Sequence, residues 1–176
     1  EHEFSDATLA FTRDLFVFAC FTALSFADIR ELTTDEIMDV NGEKWIISKR
    51  HKTGVPFQVK LLDIPLQIIG KYRPFQKDNS VFGEINYWNV CKKLKKVISE
   101  CGINKQISFH CSRHTFGTLA LSKGMPIESV SRVLGHTNIK TTQIYAKITT
   151  QKLGDDLTAF GNQLNQTFGN IKVAGT

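Results

Sequence analysis

Cysteine is scarce. The 176-residue chain holds four (Cys20, Cys91, Cys101, Cys111) with no CxxC pair, too few at this length for a disulfide-built scaffold. They read as reduced thiols, mostly buried, in a cytosolic protein. Long apolar runs are missing as well, since no stretch approaches the roughly 18 consecutive apolar residues of a membrane span. The start, Glu1-His2-Glu3-Phe4-Ser5-Asp6, has neither the basic flank of a signal peptide nor a Met, as expected of an excised domain. No repeat, linker or low-complexity tract interrupts the chain.

What is present is ordinary in bulk and uneven in detail. A composition of 41% hydrophobic and 22% charged residues suits a folded protein of one domain, or at most a compact pair. The net charge of +5 hides a segregation. Residues 44–60 carry five cations (Lys44, Lys49, Arg50, Lys52, Lys60) and no acid, and residues 101–154 carry seven cations against Glu128 alone. The last 22 residues sum to −1. Such a distribution suits a polyanionic partner, or a solvated basic face.

Residues 6–21 carry Leu9, Phe11, Leu15, Phe16, Phe18 and Ala19 nearly all round a helix, the pattern of a buried one, with Asp6 as its cap. Thr22-Ala-Leu-Ser-Phe-Ala-Asp-Ile29 then turns into a second short helix. Three short strands follow, at Ile37–Val40, Lys44–Ser48 and Val55–Leu61. Asn41-Gly42 between the first two is a strong hairpin signal, and His51-Lys52-Thr53-Gly54 closes the second turn. From Pro65 onward the spacing predicts helices over 65–72, 87–100, 111–122, 127–134, 138–145 and 150–166. Gly102 and Gly124 stand at helix stops, and Pro126 opens the next helix. The expected class is α+β, mostly helical with a small three-stranded antiparallel sheet. Gly169–Thr176 reads as a mobile tail.

The stretch Phe109-His110-Cys111-Ser112-Arg113-His114-Thr115-Phe116-Gly117-Thr118 carries the most chemistry. His110, Arg113 and His114 fall at i, i+3 and i+4, on one side of a helix beginning near 111. Backbone N–H groups, a guanidinium fork and imidazole donors can converge there on one phosphate. Two half-buried histidines capping a helix are the plainer reading. A zinc site is excluded, because Cys111 replaces the Glu of HExxH, lies off that face, and Arg113 would oppose a cation. Downstream, Pro126 to Tyr145 gives two short helices about Gly135-His136, consistent with a helix-turn-helix DNA reader. Taken alone, Tyr145 reads as a core tyrosine with a satisfied hydroxyl, since a tyrosine nucleophile needs cations and hydrogen bonds around its target.

Taken together, His110-x-x-Arg113-His114-Thr115-Phe116, then Leu134-Gly135-His136, then Tyr145 nine residues later, closely resemble the catalytic domain of tyrosine recombinases, the phage-type integrases. Thr22-Ala-Leu-Ser-Phe-Ala-Asp28 resembles that family's first box, and the hairpin lysine in His51-Lys52-Thr53-Gly54 agrees in position. The likeness spans residues 5–150 and is greatest to integrases of bacterial mobile elements. It implies site-specific recombination of double-stranded DNA with no metal or other cofactor. Tyr145 would attack a backbone phosphate, expel a 5′-hydroxyl and form a 3′-phosphotyrosyl bond. Arg113 would clamp the phosphoryl oxygens, and His110 would contact the phosphate or assist proton removal from the tyrosine. Lys52 would protonate the leaving oxygen, and His136 would donate to a non-bridging oxygen. His114 and Asp28 would stand behind the site, and Lys49, Arg50, Arg132 and Lys140 would hold flanking phosphates. A non-catalytic helix-turn-helix module and a type IB topoisomerase-like nicking and closing enzyme are the alternatives.

One position departs from the family pattern. Ser25 stands where the first box carries its first arginine, and a hydroxyl cannot replace a charged bidentate fork. Losing one such donor typically costs about 2.7–4 kcal/mol, roughly 100- to 1,000-fold in rate. Arg30, the nearest cation in sequence, is the expected substitute. Failing that, activity is weak or depends on partner subunits, or Ser25 is an engineered change.

The expected division is a catalytic domain over 1–154 and a C-terminal helix and tail over 155–176. Leu157, Phe160, Leu164 and Phe168 recur there at helical spacing. That stripe either packs on its own core or docks on a neighbouring subunit in a DNA-bound tetramer, with the isolated chain a monomer. Recombinases of this type place a helical DNA clamp before the catalytic domain. With the chain starting almost directly on the first catalytic helix, that clamp is expected to be missing or removed and DNA binding to be weak and salt-sensitive. The expected location is the bacterial cytoplasm, on DNA, with no membrane contact.

Overall fold

Asp6 caps the first helix, its carboxylate accepting the Thr8 N–H at 2.8 Å. In this computed structural model, which describes residues 3–72, 75, 78–146 and 150–168, helix α1 (Ala7–Thr22) is central, packed on α3, α4 and α5. It ends at Ala23, which is fully buried in the left-handed conformation (φ 57°). That conformation costs a residue with a Cβ about 1–2 kcal/mol, and it turns the Ala23 carbonyl toward α5. Ser25 then caps α2 (Phe26–Glu31) in a reciprocal box with Asp28.

The sheet is antiparallel in the order β1 (Ile37–Val40), β2 (Glu43–Lys49), β3 (Pro56–Lys60). Asn41 (φ 55°) and Gly42 (φ 80°) both adopt positive φ between the paired Val40 and Glu43, the geometry that an Asn-Gly hairpin turn requires. Helices α3 (Asp63–Tyr72), α4 (Tyr87–Glu100), α5 (Cys111–Ser122), α6 (Ile127–Leu134), α7 (Lys140–Gln143) and α8 (Thr150–Phe168) follow.

The main core gathers Leu15, Phe18, Leu24, Ile29, Ile46, Leu94 and Phe109. A satellite cluster of Ala23, Val130 and Leu134, flanked by Phe116 and Tyr145, joins the end of α1 to α5, α6 and the Tyr145 turn. Asp14 ties α1 to α3, accepting from Lys71 Nζ and Tyr72 Oη at 2.7 Å each.

Two expectations are corrected. The helix expected over 138–145 is the single turn α7. Asn138 Oδ1 accepts the Lys140 N–H at its start, and the Tyr145 N–H reaches only to Thr142 O at its end. A helix-turn-helix module has no recognition helix there. The cysteines are not mostly buried: Cys20, Cys91 and Cys111 are half-buried, and Cys101 is exposed because it caps the end of α4.

The chain divides into two compact units, Glu1–Tyr145 and Ala146–Thr176. In the second, α8 exposes Leu153, Leu157, Phe160 and Leu164. Gly169–Thr176 and the Phe168 side chain lie outside the described residues. No helix among the described residues is long and apolar enough to cross a membrane.

Candidate active site

Arg113, in the first turn of α5, is held from both sides by helix ends. Its Nη1 donates to Ala23 O beyond α1, and its Nη2 donates to Leu134 O at the end of α6, 2.7 Å away. Carbonyls at helix C-termini carry partial negative charge and suit a cation. Two of the five guanidinium N–H groups are thereby used to orient the fork. Burial, then the nearby Arg50 charge, pull Arg113 down to about 10, so it is still charged at neutral pH.

The second guanidinium of the site comes from β2's end. Arg50 is only 5% exposed. Its Nη1 donates to Asp28 Oδ2 at 2.7 Å, its Nη2 to Val133 O, and its plane lies 4.0 Å over the Phe57 ring. Nε is buried without a hydrogen-bond partner among the described residues. Gly135 makes the room: a Cβ there would lie 2.9 Å from Arg50 Nε, and its φ of +65° ends α6. Asp28 also accepts the His51 N–H at 3.0 Å, the Ser25 N–H at 2.9 Å and the Ser25 hydroxyl at 2.8 Å. Burial alone would raise the Asp28 carboxyl, but these donors and the Arg50 charge bring it below the ordinary carboxylate value.

The histidines and Tyr145 line the same region. The His110 and His114 rings meet edge-on at 4.8 Å, and the His114 and Tyr145 rings at 5.4 Å. Tyr145 lies on α5 at Gly117, where an added Cβ would come 2.7 Å from its ring. Burial raises the Tyr145 phenol, against the pull of Arg113. Burial lowers His110, with the His114 and Arg113 charges adding to it; burial, Arg113 and Arg50 lower His136. His136 Nδ1 is 2.9 Å from the buried Thr142 hydroxyl. A tyrosine, three histidines and two guanidiniums are thus brought into one electrostatically coupled group.

The profile of the phage integrase family matches residues 3–152. The chain belongs to that family. Among relatives, tyrosine recombinase XerA of Pyrococcus horikoshii is 32% identical over 136 residues, 71% of this chain and 47% of that protein. Tyrosine recombinase XerD of Listeria monocytogenes is 42% identical over 69 residues, 39% of this chain and 22% of that protein. The chain therefore spans about half the length of the XerA relative. The fold is that of the XerH site-specific recombinase bound to palindromic difH substrate, a post-cleavage complex (TM-score 0.71, 19% identity, 90% of this chain and 48% of that one). It is also that of the Tn1549 transposon integrase in complex with circular intermediate DNA (TM-score 0.68, 16% identity, 87% and 59%).

Within this phage integrase domain the remaining residues fall as follows. Lys52 is exposed at the tip of the β2–β3 turn, and Lys49, Arg132 and Lys140 are exposed. Arg50 is not an exposed phosphate holder, because β2's inward alternation from Ile46 through Ser48 carries it into the interior. Arg30 is exposed and pairs with Glu31 at 2.9 Å; the guanidinium whose charge acts on Arg113 is Arg50. Ser25 uses its hydroxyl within the α2 cap. Sequence reasoning passes over Arg50's place in the site, the Gly117 notch and Thr142. The period-two pattern of β2 is the signal that points to the first.

Proposed function

We propose that this domain cleaves and rejoins double-stranded DNA as the catalytic part of a site-specific tyrosine recombinase. The carrying observation is the seating of Tyr145 on α5, the helix that also bears Arg113 and follows His110. Tyr145 Oη attacks phosphorus and His110 accepts its proton. The bond from phosphorus to the 5′ oxygen breaks, Lys52 gives that oxygen a proton, and a 3′-phosphotyrosyl bond remains. Arg113 and the His136 N–H stabilise the charge on the non-bridging oxygens. Attack by a 5′-hydroxyl reverses the sequence and rejoins the strand, with no external energy source because the phosphodiester energy is kept in the covalent link.

Arg50 supplies the second guanidinium that Ser25 does not. It stands close enough to Arg113 to lower it, and Asp28 holds it in place. His114 packs behind Tyr145, and Lys49, Arg132 and Lys140 contact flanking phosphates. The exposed apolar stripe of α8 supports docking on a neighbouring subunit in a DNA-bound tetramer in the bacterial cytoplasm, with the isolated chain a monomer.

The deciding experiment incubates the protein with a nicked suicide DNA substrate and resolves the products under denaturing conditions. A protease-sensitive protein–DNA adduct that Tyr145→Phe abolishes is expected. DNA binding without an adduct would leave only a binding module. Relaxation of supercoils without strand exchange between two sites would favour the nicking and closing reading.

A further inference from the structure

Thr142 is fully buried in α7, and its hydroxyl lies 2.9 Å from His136 Nδ1. No other hydrogen-bond partner of that hydroxyl occurs among the described residues. A buried hydroxyl has one proton to place. If Nδ1 carried the ring proton, the hydroxyl would accept it and its own hydrogen would be left unpaired, the costly outcome for a buried donor. The favoured arrangement has Thr142 donating and Nδ1 accepting. A neutral His136 then carries its proton on Nε2, away from α7. Burial and the two guanidiniums keep the ring below its ordinary pKa, and so neutral near pH 7.

The same turn holds the nucleophile. Tyr145 follows Thr142 by three residues, and its N–H donates to Thr142 O at 3.0 Å. Its ring is seated where Gly117 leaves no Cβ. The turn is therefore fixed at two points, Tyr145 on α5 and Thr142 on His136. A turn that left α5 would carry the Thr142 hydroxyl away from Nδ1 and free His136 to take the other tautomer or rotate.

We infer that Thr142 is a positioning residue that makes His136 an Nε2–H donor to the phosphate only while the Tyr145 turn is seated on α5. This rests on the roles given above to His136 and Tyr145, and it adds an interlock between them: the oxyanion donor is aimed when the nucleophile is in place.

Two measurements test it. The first uses nitrogen-15 NMR of the histidine rings of the intact chain, above the pH of imidazole titration. His136 should show the Nε2–H tautomer in the wild type and in Thr142→Ser, and lose it in Thr142→Val. An Nδ1–H tautomer in the wild type overturns the proposal. The second follows single-turnover adduct formation at saturating DNA. Thr142→Val should be about 10- to 100-fold slower, on the scale of losing the partner that orients a metal-bound imidazole, with DNA affinity unchanged and Thr142→Ser at the wild-type rate. In a His136→Ala background, Thr142→Val should cost nothing further. An equal loss in both backgrounds overturns the proposal. Absence of any adduct in the wild type would sink the reading of the site instead, and the tautomer measurement would still decide the role of Thr142.

Discussion

Arg50 Nη1 stands 2.7 Å from Asp28 Oδ2 with both side chains buried, bridging 22 residues of sequence between β2's end and α2. Breaking such a pair from one side leaves a buried charge without a partner and typically costs about 3–5 kcal/mol. Arg50→Ala is therefore expected to lower the denaturant midpoint strongly. Arg50→Lys keeps a charge but not the fork, and should be less destabilised. If Arg50 is the second guanidinium, Lys at this position should still cleave a suicide substrate roughly 100- to 1,000-fold more slowly. Arg30→Ala, which removes only an exposed pair with Glu31, should change neither measurement. Normal cleavage by Arg50→Lys would return the missing charge to another residue.

Gly117 sits inside α5, where Ala would be more favourable by about 1 kcal/mol. An added Cβ would nevertheless come 2.7 Å from Tyr145 Cδ2, closer than such atoms approach, and a tight 3.0 Å from Cγ. Gly117→Ala is expected to leave DNA binding and thermal stability near wild type while displacing the phenol by a fraction of an ångström to about 1 Å. Misplacement on that scale can cost about 100-fold in rate. Adduct formation at saturating DNA is the measurement, and an unchanged rate would show that the notch does not seat the nucleophile.

The elements that were legible in the sequence are those fixed by neighbours along the chain. Asp6 caps α1 directly, Asn41-Gly42 builds its own turn, and His110, Arg113 and His114 share a helix side by spacing alone. Arg50 was not legible as part of the site because its partners lie far away: Asp28 on another element and Val133 O, 83 residues on. In sequence, Lys49 to Lys52 looks like one solvated cationic turn. In the fold, β2's alternation separates exposed Lys49 from buried Arg50. The left-handed Ala23 is equally silent, since nothing about an alanine announces positive φ. Its conformation is maintained by burial and by Arg113 on its carbonyl. Gly135 is a mixed case: its helix-ending role follows from the residue type, whereas the closeness of Arg50 does not.

The histidines set the acid side of the pH profile. Both His110 and His136 lie below the ordinary imidazole value of 6.5, chiefly through burial. At pH 7 His110 is neutral and can accept the Tyr145 proton; as pH falls through its lowered pKa it becomes charged and cannot. Single-turnover cleavage should hold from neutrality down past pH 6.5 and then decline. Protonated His136 still has an Nε2–H to donate, so the decline belongs to His110, and His110→Asn should abolish it while lowering the plateau. Because the Tyr145 phenol lies above its ordinary value of 10, no rise from spontaneous phenolate formation is expected between pH 7 and 9. A decline centred above 6.5 would assign the base to a different group.

Lys52 can be tested through the leaving group. It stands exposed at the tip of the β2–β3 turn, whose base is closed by the Gly54 N–H on Arg50 O at 2.7 Å and the Arg50 N–H on Val55 O at 2.8 Å. The tip is thus tethered directly to the buried Arg50 backbone. If the Lys52 ammonium protonates the departing 5′ oxygen, Lys52→Ala should slow cleavage of ordinary DNA by about 100- to 10,000-fold, the usual range for a lost general acid. A substrate with sulfur in place of that 5′ oxygen needs no such proton, because a thiolate leaves readily on its own. Lys52→Ala should therefore cleave the sulfur substrate close to the wild-type rate. A variant equally impaired on both substrates would make Lys52 a phosphate contact, and the acid would then be sought among the neighbouring cations, Lys49 first.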